Sequence, residues 1–445
     1  MCSFKIPTWV SLSLAVVLVA ATAFVSHLLI GSATTAQVGS ALYQTPYESD
    51  PYVRFDMEAY DSILKNYWQQ PDKYVVALPE LFRLALSKIT NAPATLASAD
   101  RQGTAALLSG VINAASSTDQ KKQIALTILK IVTYNLLPVG RNGLYSKQDQ
   151  VALRQDVSNV NPNSDLYKTL GLNAGADVDA VNLAFKARAA ELADATTAAA
   201  KTELAQVTYA HQVLTDAASK TLYDQAKIEP TSFTHVIGST LYVRLDKISP
   251  TTLGEFARAV DDASTTPHLD SLIVDLRGNV GGALDFLNYF LGLFIGPNQY
   301  AFDLFHQGSY EVQRTTAPKF AELARYGELA FLTDNMTQST AELTAETFKH
   351  LNLATIIGTK TRGWGTVENT FPLKTAIDPG ESYALFLVRY LTVRDDNLPI
   401  QDNGVIPDID TSIAGWKDQL AHKFRSASLI AALKQVATQA TIFHF

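Results

Sequence analysis

The chain has 445 residues, 47% hydrophobic and 18% charged, a balance suited to two or three folded domains. A net charge of −7 lacks the basic face of a nucleic-acid binder, and a single cysteine, Cys2, excludes an intramolecular disulfide framework. No Cys/His cluster has zinc spacing and no glycine loop has phosphate-cradling spacing, so neither a metal nor a cofactor is expected. The N-terminal stretch from Trp9 to Gly31 carries no Asp, Glu, Lys or Arg. At about 1.5 Å per residue it is long enough as a helix to cross a bilayer, and longer than a signal-peptide core. Residues 1–31 are therefore predicted to be a signal anchor, with Lys5 on the cytoplasmic side and the bulk of the chain outside the cytoplasm.

Residues 32–52 are small and polar and read as a linker. Apolar residues at three-to-four spacing predict an α-helical region over 53–160, interrupted at Pro138 and the following "VGRNG". Residues 161–228 predict a further helical module. Its "LYKTLGL", the helix bearing Ala184 and Phe185, "AHQVLTD" and the closing "LYD" resemble a J-domain. The functional tripeptide of that module, His-Pro-Asp, would fall at Ala193, Asp194 and Ala195 and is absent, so no chaperone ATPase partner is expected. From 229 to 445 the pattern alternates strand and helix, "STLYVRL", "LDSLIVDL", "ELAFLTD" and "LATIIG" being the strands. That alternation predicts a mixed α/β sheet with flanking helices, closed by a C-terminal helix.

Four ordered segments give the α/β region its chemistry: "LYVRLDKISPTTLGEFARAV", "LIVDLRGNVGGALD", "LAFLTDNMTQSTAELTAETFKHL" running on to "ATIIGTKTRGWGTVE", and "PIQDNGVIPDID". In this order they resemble the C-terminal processing (tail-specific) serine peptidases. The resemblance implies hydrolysis of peptide bonds in unfolded or extended polypeptides, with Ser339 as nucleophile. It also implies oxyanion donors at Gly281 or Gly282 and at the Thr340 amide. Acyl transfer needs such donors, and a glycine pair between a strand end and a helix start presents backbone N–H groups. The same residues also fit plainer structures. The "RGNVGG" segment suits a tight turn, and Ser339 with Glu342 three residues on suits a helix capping box.

The resemblance breaks at the base. The family uses a lysine supported by a glutamine four residues later, and here those positions hold Trp364 and Glu368. An indole has no basic lone pair. Three readings follow. The tricorn-type branch uses a histidine before the opening strand and a late acidic residue, which would be His235 and Asp402. Lys360, in the loop of Trp364, is an alternative base if burial lowers its pKa. Failing both, the chain is a pseudopeptidase that binds peptides or serves as a scaffold. The family's usual PDZ-type insertion is missing, and the J-like segment stands in its place.

Overall fold

The computed structural model describes residues 45–437 and 439, apart from 71–72, 75, 194–195 and 395–397. The predicted signal anchor and most of the linker lie outside the described residues, as do Asp194 and Ala195. Among the described residues no helix is long and apolar enough to cross a membrane.

Among the described residues the first α-helix is α1 (Pro51–Asn66), started by Asp50, whose side chain accepts the Tyr52 amide, and by Pro51 in the first turn. Helices α2 (Leu78–Thr90), α3 (Arg101–Asn113) and α4 (Thr118–Asn135) follow, then a short strand β1 (Gly143–Tyr145) and helix α5 (Lys147–Val157). Phe55, Ile63, Phe82, Leu108 and Leu129 form their core together with Leu385 and Leu387, which come from a strand some 250 residues later. A second helical unit comprises α6 (Leu166–Thr169), α7 (Val178–Leu192), α8 (Ala198–Thr215) and α9 (Ala217–Ala226). It closes its own core around Val181, Val207, Ala210 and Tyr223, and the Tyr223 hydroxyl accepts the Leu166 amide at 2.9 Å.

The remainder is built on two sheets. Their elements, in order, are β2 (Ser232–Ile237), β3 (Thr240–Leu245), α10 (Thr252–Asp262), β4 (Ser271–Asp275), α11 (Phe286–Ile295), β5 (Tyr300–His306), β6 (Ser309–Arg314), β7 (Glu328–Thr333), α12 (Thr340–His350) and β8 (Thr355–Gly358). Next come β9 (Thr366–Pro372), β10 (Ala384–Val393), β11 (Ile409–Asp410), α13 (Trp416–Lys423) and α14 (Ala427–Val436). The larger sheet runs β11-β8-β7-β4-β3-β2, parallel except for the antiparallel edge strand β2. Its central strands are apolar on both faces, as a sheet covered on both sides requires. Residues of α10, α11 and α12 pack with Leu272, Val274 and Phe331 on one face, and those of α13 and α14 with Ile273 and Leu332 on the other. The smaller, antiparallel sheet runs β1-β10-β5-β6, with β9 also on β10. The strands β4 and β7 are parallel neighbours, so the loops leaving their carboxyl ends lie side by side.

Asp56 sits on the buried face of α1 with no exposure, and neither carboxylate oxygen has a hydrogen-bond partner. Burial raises its pKa well above 3.8. In the unfolded chain the same carboxyl ionises near its ordinary value, so raising the pH favours unfolding across the interval between the two. The stability of Asp56→Asn relative to the native chain should therefore increase by about 1.4 kcal/mol per pH unit above pH 5 while the folded Asp56 stays protonated. Urea midpoints measured from pH 5 to 7 check this, and a constant difference refutes it.

Candidate active site

The loop after β4 and the loop after β7 are zipped together. Asp334 Oδ1 accepts the Gly278 amide at 2.9 Å, Thr337 Oγ1 donates to Leu276 O at 2.8 Å, and the Gln338 amide donates to Asn279 O at 2.9 Å. Thr340 Oγ1 donates to Gly282 O at 2.9 Å. Glycine is required at the closest approach. A Cβ on Gly281 would lie 2.7 Å from Ser339 Cβ, and one on Gly282 would lie 1.7 Å from Ile248 O. The turn and the approach to Ser339 are thus the same feature. Arg277 plays a structural part: it pairs with buried Asp275 at 2.6 Å and donates to the carbonyls of Ala437 and Gln439, tying down the chain beyond α14.

Ser339 stands immediately before α12, half-buried, with φ 57° and ψ −130°. Non-glycine residues avoid this region, at a cost on the order of 1–3 kcal/mol. Glu342 is what holds the serine there. Its fully buried carboxylate accepts the Ser339 amide at 3.0 Å, the Thr361 hydroxyl at 2.5 Å, the Gly363 amide at 2.6 Å and the Trp364 amide at 2.7 Å. The expected pairing of Ser339 with Glu342 is present through the serine backbone, and the carboxylate spans to the loop that carries Trp364.

The Trp364 indole Nε1 donates to Glu368 Oε1 at 3.3 Å, and Thr366 Oγ1 donates to the same oxygen at 2.6 Å. Burial raises the Glu368 pKa above 4.5, partly offset by these two hydrogen bonds and by the charge of Arg141. Arg141 is the neighbour that sequence reasoning missed. It precedes β1, yet its guanidinium lies 3.7 Å from the centre of the Trp364 ring and donates to Thr366 Oγ1 and Gln401 Oε1. Gln401 also accepts the Gly365 amide at 3.0 Å and donates to Asp402 Oδ1 at 2.7 Å. No local pattern in the sequence joins these residues. The only hint was an arginine in the "VGRNG" turn.

Among the expected donors, the Gly281 amide is committed to Asn279 Oδ1 at 2.8 Å. The Gly282 and Thr340 amides donate to no acceptor among the described residues. Asp402 is exposed, but its amide donates to Gly363 O at 2.9 Å, so its loop abuts the site. Lys360 and Arg362 are exposed on the same loop as Trp364, and the Arg362 amide donates to Thr337 O at 3.1 Å. His235 is not brought to Ser339. It lies in the edge strand β2 opposite Tyr242, with ring centroids 4.5 Å apart, and β2 is three strands from β7. At about 4.8 Å per strand this separates it by about 14 Å sideways alone. Tyr242 belongs to the core on the α13–α14 face, while His235 beside it is exposed at the sheet edge, and the partial burial of its ring lowers its pKa. The proposed His235–Asp402 pair is therefore not assembled. The Ser339 hydroxyl itself makes no hydrogen bond to a base among the described residues.

Residues 239–411 match the sequence profile of peptidase family S41. The chain is similar to a carboxy-terminal-processing protease of Bartonella bacilliformis, 28% identical over 193 residues, which is 43% of this chain and 42% of that protein. It is also similar to a carboxyl-terminal-processing protease of Synechocystis sp., 27% identical over 167 residues, 38% of this chain and 36% of that one. It thus aligns with less than half the length of either relative. Among solved structures, the photosystem II D1 C-terminal processing protease aligns over 81% of this chain and 92% of its own, at 13% identity and a TM-score of 0.48.

Removing the Glu342 carboxylate leaves three backbone amides and a hydroxyl without their acceptor in a buried place. Glu342→Ala should destabilise the chain by about 3 kcal/mol or more. A loss below about 1 kcal/mol by urea denaturation contradicts the central role given to this residue.

Proposed function

We propose, from the premise that residues 239–411 are a peptidase S41 core of the C-terminal processing kind, that this chain is a serine-type peptidase acting on unfolded or extended polypeptide. The observation that carries the reading is the strained backbone of Ser339, held beside a glycine pair at the start of a helix. Strain of this sort is retained where surrounding structure over-determines it, and nucleophiles are a common reason. In the proposed reaction the Ser339 oxygen attacks the scissile carbonyl carbon as its proton passes to the base, the Gly282 and Thr340 amides receive the developing oxyanion, and the C–N bond then breaks as the amine leaves with that proton. The resulting acyl-enzyme is released by water.

The base is non-standard. We assign it to Glu368, which is hydrogen-bonded to the indole at the position where the resemblance puts a lysine and whose pKa burial raises above 4.5, making it a stronger base than an exposed carboxylate. Contact with Ser339 has to form when substrate closes the cleft. The N-terminal apolar segment is proposed to hold the chain at a membrane with its bulk outside the cytoplasm, and the helical unit of α6–α9 to act as a J-like spacer or docking piece.

A second reading is favoured by one observation: Trp364 offers only an N–H donor where a base belongs. In that case the cleft binds polypeptide without cutting it.

Ser339→Ala should abolish cleavage of an unfolded protein substrate and labelling by a fluorophosphonate. Purified native chain that neither cleaves nor labels sinks the peptidase reading. Because the carboxylate is the active form, kcat/KM should rise with pH through a value above 4.5, and Glu368→Gln should lower kcat by about a hundredfold or more. If only the double variant Trp364→Lys with Glu368→Gln cleaves, the second reading holds.

A further inference from the structure

Arg141 reaches the site from the N-terminal helical region rather than from the 239–411 core. Its Nη1 donates to Thr366 Oγ1 at 3.0 Å and to Gln401 Oε1 at 2.9 Å, and both acceptors are neutral. Among the described residues it makes no ion pair, and Nε and Nη2 have no acceptor. A guanidinium carries five N–H donors, so three remain unspent on a side chain that is half-buried. Burial accordingly lowers its pKa, an effect only partly offset by Glu368 and Asp402. Stacking on Trp364 fixes the plane of the guanidinium and leaves its edge open. A rigid planar fork of this kind matches a carboxylate in two-point contact.

The Ser339 backbone is next to that of Trp364, the residue whose ring carries this fork. The Ser339 and Trp364 amides donate to the same oxygen, Glu342 Oε2, so the two backbones run side by side. Exposed Lys360 and Arg362 add positive charge to the approach. Of the acidic groups at hand, Glu342 is already saturated by four donors, Glu368 is engaged by Thr366 and Trp364, and Asp402 by Gln401.

We propose that Arg141, seated on Trp364, is a carboxylate-binding subsite beside Ser339. It reads a carboxylate on the bound polypeptide, supplied by the chain terminus or by an acidic side chain near the serine. The inference rests on the proposed function for the presence of polypeptide in the cleft, not for its cleavage.

Fluorescence anisotropy with the full chain carrying Ser339→Ala tests it. Three forms of one neutral, extended peptide are compared: a free C-terminal carboxylate, a C-terminal amide, and the amide with one internal Asp. The plain amide should bind about tenfold or more weakly than the better carboxylate peptide. Adding Arg141→Gln should shrink that ratio to about twofold or less, and the stronger of the two carboxylate peptides identifies the source. Equal binding of all three, no binding of any, or a ratio that survives Arg141→Gln overturns the proposal. If Arg141→Gln does not fold, Arg141→Lys decides, since it keeps the charge without the fork: an undiminished ratio there also overturns it. Fluorophosphonate labelling and cleavage by the native chain are read separately, so an enzyme that cuts but ignores carboxylates loses the subsite and keeps the function.

Discussion

A single buried carboxylate organises the cleft. Glu342 gathers donors from the serine backbone and from the loop that faces it, and each is a charge-assisted contact to a fully buried side chain. Its position in the first turn of α12 also sets negative charge against the positive end of the helix. From this one group follow the left-handed backbone of Ser339, the path of residues 361–364 and the position of Trp364. Through Gly363 the same chain of contacts reaches the loop of Asp402.

The α/β core was legible in the sequence because covered parallel strands are written as short apolar runs and their connecting loops as fixed motifs. The glycine pair, Ser339 and Glu342 came with those motifs. His235 was misleading for a physical reason. It lies close in sequence to the opening strand, but an antiparallel edge strand carries it outward along the sheet, away from the carboxyl ends where β4 and β7 deliver their loops. Arg141 and Gln401 were invisible because their roles depend on long-range packing, and neither periodicity nor spacing encodes which turn will lie over which ring. The helical units were readable as helices, whereas the attachment of the first of them to β9 and β10 was not.

Trp364 and Glu368 keep a hydrogen bond in the place where the resemblance puts a lysine and a glutamine. The geometry of a supported donor survives while its acid–base character is exchanged. A lysine can alternate between donor and acceptor of a proton, but an indole only donates.

The N-terminal helices share a core with β10, and β1 pairs Gly143–Tyr145 with Ala384–Phe386. A chain made from its N-terminus presents these helices long before their partner strands exist. The wall of the cleft that bears Arg141 can be set only after residue 393 has left the ribosome, when little of the chain remains to be made. Maturation of the site is in this way timed by the topology.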